Sequence, residues 1–172
     1  MSSAAARAPR LTLVNLATQD TLEAQFNPTE FEEALGVIYA RHTVPGLSHT
    51  VKHFVNTDDV KFKLTLFQRA ETIKELELIK AARVFLYAAC HPRKVDALIK
   101  GGAPKLLFVW PKTISLAVVI TGLKFRYTQF NREGDPVSWE AACDLEELRE
   151  SVVTMEDIIT QGTIRSSAKG GA

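Results

Sequence analysis

Two adjacent residues, Cys90 and His91, are of the types that serve as a nucleophile and a general base. Productive pairs of this kind usually come from separate segments, because chain neighbours seldom point their reactive atoms at each other. Both residues also lie at the C-terminal end of a predicted helix, and a helix C-terminus disfavours the thiolate that catalysis needs. We therefore predict that Cys90 and the distant Cys143 are structural, reduced thiols.

Two of the four histidines, His49 and His53, are four residues apart, a spacing that suits metal binding when both lie on one helix. The preceding Pro45 and Gly46 indicate a turn, and the segment lacks helical periodicity. The sequence therefore predicts no metal site.

Acidic residues cluster in two places, and paired carboxylates perform acid–base catalysis only when burial perturbs them. Both clusters lie among polar residues, so we expect a solvated face or an interface with basic residues. A phosphate-binding loop is lacking too, because Gly101-Gly102 is not followed by Lys and Ser or Thr. The sequence therefore predicts no catalytic site and no cofactor. The clusters are Glu30, Glu32 and Glu33, and then Asp144, Glu146, Glu147 and Glu150.

The composition is that of an ordinary soluble protein, with 172 residues of which 46% are hydrophobic and 24% charged. A net charge of +1 argues against a dedicated nucleic-acid surface. No apolar run approaches the ~20 residues that span a bilayer, and residues 1–10 lack the apolar middle of a secretory signal. We expect a protein made and folded in the cytoplasm, with neither a membrane nor a specific nucleic acid as partner.

Predicted strands flank one predicted helix. Residues 60–67 (VKFKLTLF) alternate apolar and polar side chains, as in a half-buried strand. Residues 70–90 change to helical spacing, with an apolar stripe of Ile73, Leu76, Ile79, Leu86 and Ala89. Further strands are predicted at 11–16, 21–26, 106–110, 114–120, 123–130 and 137–146, with Gly134 in a hairpin loop. This order predicts a mainly β (α+β) fold, an antiparallel β-sandwich or barrel with one flanking α-helix.

The helix should pack across the sheet and bury the largest apolar side chains of both elements. The residues expected in this core are Phe62, Leu64, Leu66, Leu76, Ile79, Leu86, Phe108 and Trp110.

Several stretches have weaker patterns. Residues 32–41 fit a short helix or an irregular strand, with the extended form favoured, and 43–50 fit a loop or an arm. Residues 92–100 are compatible with a second short helix, and 147–159 with either a helical or an extended end. Small and polar residues predict flexible ends at 1–10 and 161–172, around one domain at 11–160.

Two separated groups of motifs carry a family resemblance. The first is QFNPTEF at 25–31, directly after the predicted hairpin. The second comprises PKLLFVW at 104–110, VITGL at 119–123, YTQF at 127–130 and GDPV at 134–137. In this order they resemble the tube-fold domain of contractile injection system and phage tail proteins, in the branch that joins the tube to the spike hub. The motif residues are Phe26, Asn27, Pro28, Phe31, Phe108, Trp110, Gly122, Tyr127, Phe130, Gly134 and Pro136.

The sequence departs from the family pattern at three points. Pro111 follows Trp110 where glycine is frequent, and Ser138-Trp139 replaces an arginine and a small residue. Only ~25 residues follow the predicted barrel, fewer than the LysM module of many members needs, so no cell-wall binding is expected.

The resemblance implies a non-enzymatic structural subunit, and a barrel of the tail-tube type whose copies form a six-fold ring between the tube ring and the spike. A tube or tube-initiator protein is the related alternative. A small cytoplasmic β-rich binding module, or an enzyme using Cys90 or the His49/His53 pair, are the alternatives from other classes. The segment 32–57 and the two termini are expected at subunit contacts, with 32–57 lying on a neighbouring subunit as an arm. The expected contact residues are Tyr39, Arg41, His42, His49, Arg132, Glu133, Asp135, Asp144 and Glu146.

Overall fold

The computed structural model describes residues 9–92, 102–111 and 114–149, and these residues form nine strands and one helix. The strands are β1 (Thr12–Asn15), β2 (Thr21–Glu23), β3 (Phe31–Ala34), β4 (Val37–His42), β5 (Val51–Thr57), β6 (Lys61–Arg69), β7 (Leu106–Trp110), β8 (Ile114–Phe130) and β9 (Pro136–Glu147), and the helix α1 spans Ile73–Ala89.

Seven of the strands form one sheet in the order β2-β1-β7-β8-β9-β6-β3, and β4 pairs with β5 in a separate two-stranded sheet. Every neighbouring pair is antiparallel. The large sheet curls, because Phe31 on the edge strand β3 reaches the ring of Phe108 on β7 at 5.9 Å and that of Trp110 at 5.6 Å. The predicted fold class, mainly β with one flanking helix, is confirmed.

The core lies on the concave face of this sheet, where alternate residues of β6 and β9 point inward. Six of the expected core residues are buried: Phe62, Leu64, Leu66, Ile79, Leu86 and Phe108. Leu76 and Trp110 are only partly buried and pack at its margin. Trp139, which was not among the expected core residues, is the largest fully buried side chain of the described residues.

Helix α1 begins with a capping box, in which Glu75 N donates to Thr72 Oγ1 and the Glu75 carboxylate accepts from Thr72 N. Its buried stripe is Ile79, Ala82, Leu86 and Ala89. The prediction that Ile73 belongs to this stripe is wrong, because Ile73 is 83% exposed. At 100° per residue Ile73 lies about 120° around the helix from Ile79, and therefore points away from the sheet.

The two strands predicted at 114–120 and 123–130 are one continuous strand, β8, of 17 residues. The register with β9 shifts between Ile120 and Gly122. The irregularity at Thr121 therefore changes the register without ending the strand, which is how a β-bulge behaves. The predicted hairpin loop between β8 and β9 is confirmed, with Gly134 at a φ of +88°.

Residues 32–41 are largely extended, as favoured, and residues 43–50 form a loop, but the segment 32–57 is not a single arm. Residues up to Ala34 pair with β6 in the main sheet of the same subunit. Only β4 and β5 leave that sheet, joined by an exposed turn in which Gly46 has a φ of +92°. Several predictions fall on residues that the structure does not describe. These are nearly all of the second short helix at 92–100, residues 1–8 of the flexible N-terminal end, the flexible C-terminal end at 161–172, and residues 150–159 of the 147–159 stretch.

Candidate subunit-contact surfaces

Residues 25–27 join the two margins of the curled sheet through side-chain amides. Gln25 Nε2 donates to Arg69 O at 2.7 Å, and Arg69 N donates to Gln25 Oε1 at 2.7 Å. Asn27 Oδ1 accepts from Leu11 N at 3.0 Å, and its Nδ2 donates to Pro9 O at 3.0 Å. The two side-chain amides form hydrogen bonds with backbone groups at the end of β6 and just before β1. These backbone groups lack a partner on a neighbouring strand at this point.

The aromatic residues of the same motif point to opposite faces. Phe26 lies on the convex face against Phe67, with ring centroids 5.7 Å apart, and stays 51% exposed. Phe31 lies on the concave face and stacks on Phe62 at 5.5 Å. The half-buried Pro28 stands between them, in the connection that carries the chain from β2 to β3.

Gly122 marks a close approach of β8 to β9. A Cβ at this position would lie 3.2 Å from the Cβ of Asp144 and would meet its carboxylate. Thr121 Oγ1 also donates to Asp144 O at 3.2 Å. A side chain at 122 would therefore displace Asp144, and glycine is the residue that lets the bulge form here.

The remaining motif residues pack near helix α1. Arg83 lies over the rings of Tyr87 and Tyr127, at 5.2 and 5.5 Å from their centroids. Phe130 lies beside Tyr127 and is exposed. Pro136 begins β9 after a loop whose Asp135 forms a 3.2 Å ion pair with Lys80 of the helix. This ion pair fastens the far end of the β8–β9 hairpin to α1.

Residues 35–57, which we call the exposed hairpin, present a large apolar surface. The two-stranded sheet lies apart from the main core, and both of its faces carry apolar side chains. Tyr39 and Phe54 meet edge-on at 6.0 Å, and His42 meets His53 at 5.3 Å. The exposed apolar residues are Leu35, Val37, Ile38, Tyr39, Val44, Leu47, Phe54 and Val55. A monomer seldom exposes so many contiguous apolar side chains, and such patches mark interaction sites.

The exposed hairpin also carries charged side chains of one sign only, all of them basic. It contains Arg41 and Lys52 together with His42, His49 and His53, and no Asp or Glu. At its base, Asp58 N donates to Gly36 O at 2.9 Å, which closes the hairpin where it leaves the main sheet. The predicted contact residues Tyr39, Arg41, His42 and His49 all lie on this hairpin, and all are exposed.

The other predicted contact residues lie at opposite ends of β9. Asp144 and Glu146 are near the root end of the sheet, which we define as the end where β3 and β9 finish and β6 begins. The loop between β8 and β9, at the opposite end of the sheet, contains Arg132, Glu133 and Asp135. We call this opposite end the far end. The 12 residues of β9 separate the two ends by about 36 Å at the strand rise. The structure therefore does not bring the two groups of contact residues together.

Acidic side chains are concentrated at the root end. The strand pairing places Glu32 opposite Lys63, Lys63 opposite Asp144, and Lys61 opposite Glu146. Asp58 forms a 3.2 Å ion pair with Lys61. Hydrogen bonding and charge from Asp58, followed by the charges of Glu146 and Asp59, raise the pKa of Lys61. The root end is thus a region of negative potential.

Chemically reactive groups are sparse in the part of the chain that the structure describes. Burial raises the pKa of the Cys143 thiol to about 12, and partial burial raises that of Cys90 as well. Neither thiol is in a disulfide. Within residues 9–92, 102–111 and 114–149, no three His, Cys, Asp or Glu side chains are grouped to hold a metal. No helix among them is long and apolar enough to cross a membrane.

The motif residues and the curled antiparallel sheet agree with one family of known proteins. A sequence model of contractile injection system tube proteins matches residues 12–155. The chain belongs to this family. The match covers all nine strands and α1 of the tube protein. A search of curated proteins gives no match to the chain.

Membership of the tube protein family indicates which kind of surface the protein needs, namely one for contact between subunits. The family consists of structural proteins of contractile injection systems, which assemble as oligomers into a tube within a phage or injection particle. The exposed hairpin of this tube protein is therefore a candidate surface for assembly. Sequence reasoning missed the Gln25–Arg69 and Lys80–Asp135 contacts, which join residues far apart in the chain and have no local signature. It also missed the capping box, although the T-x-x-E spacing of Thr72 and Glu75 is a readable signal.

Proposed function

We propose that copies of the chain close into a six-fold ring that connects the inner tube to the central spike of a contractile tail or injection device. The observation that carries this proposal is the exposed hairpin, whose apolar side chains on both faces have no cover within the described residues. Apolar surface of this extent is stabilised by burial against another subunit.

The edges of the main sheet support head-to-tail contact between copies. Among the described strands, β3 pairs only with β6, and β2 pairs only with β1. Their outer N–H and C=O groups are available to a strand of a neighbour. A head-to-tail contact closes into a ring when the rotation between copies divides a full turn.

The position beside the spike is supported by the motif pattern. Gln25, Phe26 and Asn27 lie where the two margins of the curled sheet meet, which we call the seam. They belong to QFNPTEF, the motif that resembles the spike-joining branch. The second candidate is a tube or tube-initiator protein, which the family match favours equally.

Electron microscopy of the purified chain, alone and mixed with the tube and spike proteins of its own gene cluster, tests the proposal. We expect single rings that bind the spike on one side and a tube ring on the other. Long stacked tubes formed by the chain alone would favour the tube reading. A monodisperse monomer that binds neither partner would contradict ring formation and would favour a small binding module.

A further inference from the structure

We propose that the exposed hairpin of one copy docks on the convex face of the next copy in the same ring, at the root end of its sheet. The occupant of the hairpin surface is thus a second copy of this chain, and the contact runs sideways around the ring. This inference rests on the proposed function and specifies how the ring closes.

Charge complementarity favours the root end as the docking surface. The exposed hairpin carries Arg41 and Lys52 and no acid. At the root end, Glu32, Asp144 and Glu146 have no ion pair among the described residues. The three carboxylates outnumber the two cations of the exposed hairpin. Lys61 and Lys63 lie opposite them in the strand register and balance part of their charge.

The far end of the sheet has fewer unpaired carboxylates with which a basic hairpin could form ion pairs. Its carboxylates Glu71, Glu140 and Asp135 already pair with Arg69, Arg126 and Lys80, respectively. Glu133 is the remaining acid in the far-end loop. A hairpin that reached the far end of a copy in an adjacent ring would therefore compete with existing ion pairs.

Apolar surface is present beside the root-end acids. On the convex face, Val14 lies opposite Leu107, and Leu107 lies opposite Ala117 in the next strand. Val119 lies opposite Glu146, so the aliphatic strip adjoins the carboxylates. These side chains are half-buried rather than fully covered. The mixture of aliphatic and acidic groups complements the aromatic, aliphatic and basic groups of the exposed hairpin.

The geometry of a ring makes this contact reachable. The exposed hairpin leaves its own subunit at the root end, beside Gly36 and Asp58. Rotation about the ring axis keeps the root ends of all copies at one level, so a hairpin leaning sideways meets the root end of its neighbour. The seven residues of β5 extend about 23 Å, which is enough to cross several strands spaced at about 4.8 Å.

A charge-swap experiment tests the docking surface. The first variant, Arg41→Glu/Lys52→Glu, and the second, Glu32→Lys/Glu146→Lys, should each lower the ring fraction about tenfold or more, because like charges then face each other. The four substitutions combined in one chain should restore the rings. The matched control, Glu71→Lys/Glu77→Lys, makes the same change of charge at two exposed residues that are not expected contact residues, and should leave the rings intact. Thermal unfolding of each monomer verifies the fold.

Photo-crosslinking from position 54 gives a second readout in rings mixed from ¹⁴N and ¹⁵N subunits. We expect crosslinks between subunits to peptides of residues 106–119 or 140–149. Crosslinks to 69–78 or 124–136, or a failure of the combined charge swap to restore rings, would overturn the inference. So would rings of Arg41→Glu/Lys52→Glu that form normally but no longer bind the tube or spike protein. If the unaltered chain forms no ring at all, the proposed function itself fails.

Discussion

At the scale of single residues, Gln25 supplies with its side chain the hydrogen bonds that a neighbouring strand would supply with its backbone. The amide both donates to and accepts from Arg69, at 2.7 Å in each direction. No other uncharged side chain of this length carries a donor and an acceptor in this geometry. The residue therefore helps to join the two margins of the sheet.

Replacing Gln25 tests this role. Gln25→Ala should lower the free energy of unfolding by about 1 kcal/mol, the net value of a typical hydrogen-bonded contact. Gln25→Glu should cost at least as much, because a carboxylate cannot donate to Arg69 O. Urea titration measures both, with the exposed Gln129→Ala as control, for which a change below about 0.5 kcal/mol is expected. Equal stability of all three variants would show that the seam does not depend on the amide.

The Cys143 thiol links burial to pH. Because burial raises its pKa from 9.0 to about 12, the folded protein keeps the thiol protonated where the unfolded chain ionises it. The contribution of this thiol to stability is therefore complete below about pH 9 and is lost as the pH rises towards 12.

Thiol alkylation at pH 8 provides the measurement. We expect Cys143 to remain unmodified in the folded protein and Cys90, which is only partly buried, to react slowly. Both should react at once in denaturant. Rapid alkylation of Cys143 in the folded state would show that the sheet around it opens readily.

At the scale of elements, helix α1 is attached to the sheet by one stripe of side chains. Leu86 is fully buried and Ile73 is 83% exposed. Leu86→Ala should lower the free energy of unfolding by roughly 2–5 kcal/mol, as for a leucine in a close-packed core. Ile73→Ala should change it by less than about 0.5 kcal/mol. Denaturant titration compares the two, and similar losses would mean that the helix packs differently.

Local periodicity explains which elements could be predicted. β6 alternates strictly and α1 repeats at helical spacing, so both were recognisable from short windows. The continuity of β8 was not, because a glycine within an apolar run has the same local appearance at a strand end and at a bulge. β4 was ambiguous and β5 was not predicted. Their apolar residues occur on both faces, and a strand without a buried face has no alternating pattern.

At the scale of the whole molecule, the ordered motifs were sufficient for the family but not for the surfaces. Phe26 and Phe31 are both motif aromatics, yet one faces the core and the other faces solvent. Their orientation depends on the curl of the sheet, which brings β3 to β7 across residues distant in sequence. The separation of the predicted contact residues into root-end and far-end groups depends on the same long-range pairing.

The exposed hairpin should be dispensable for folding. Gly36 O and Asp58 N are already 2.9 Å apart, so residues 37–57 can be replaced by an Asn-Gly turn without straining the main sheet. We expect this variant to be a soluble monomer whose circular dichroism and urea midpoint stay close to those of the unaltered chain, and which forms no rings. The exposed Leu78→Ser on α1 serves as the control that should still assemble. Rings formed without the exposed hairpin would contradict its role in assembly.

Strand β8 has a mechanical consequence for a protein of a contractile machine. Its 17 residues extend about 56 Å, and it is hydrogen-bonded to β7 along one part and to β9 along the other. The bonds of an antiparallel ladder lie perpendicular to the strand. A pull along β8 therefore loads many of them at once in shear, whereas a pull across the sheet would break them one after another. The fold thus resists tension best along the direction of this strand.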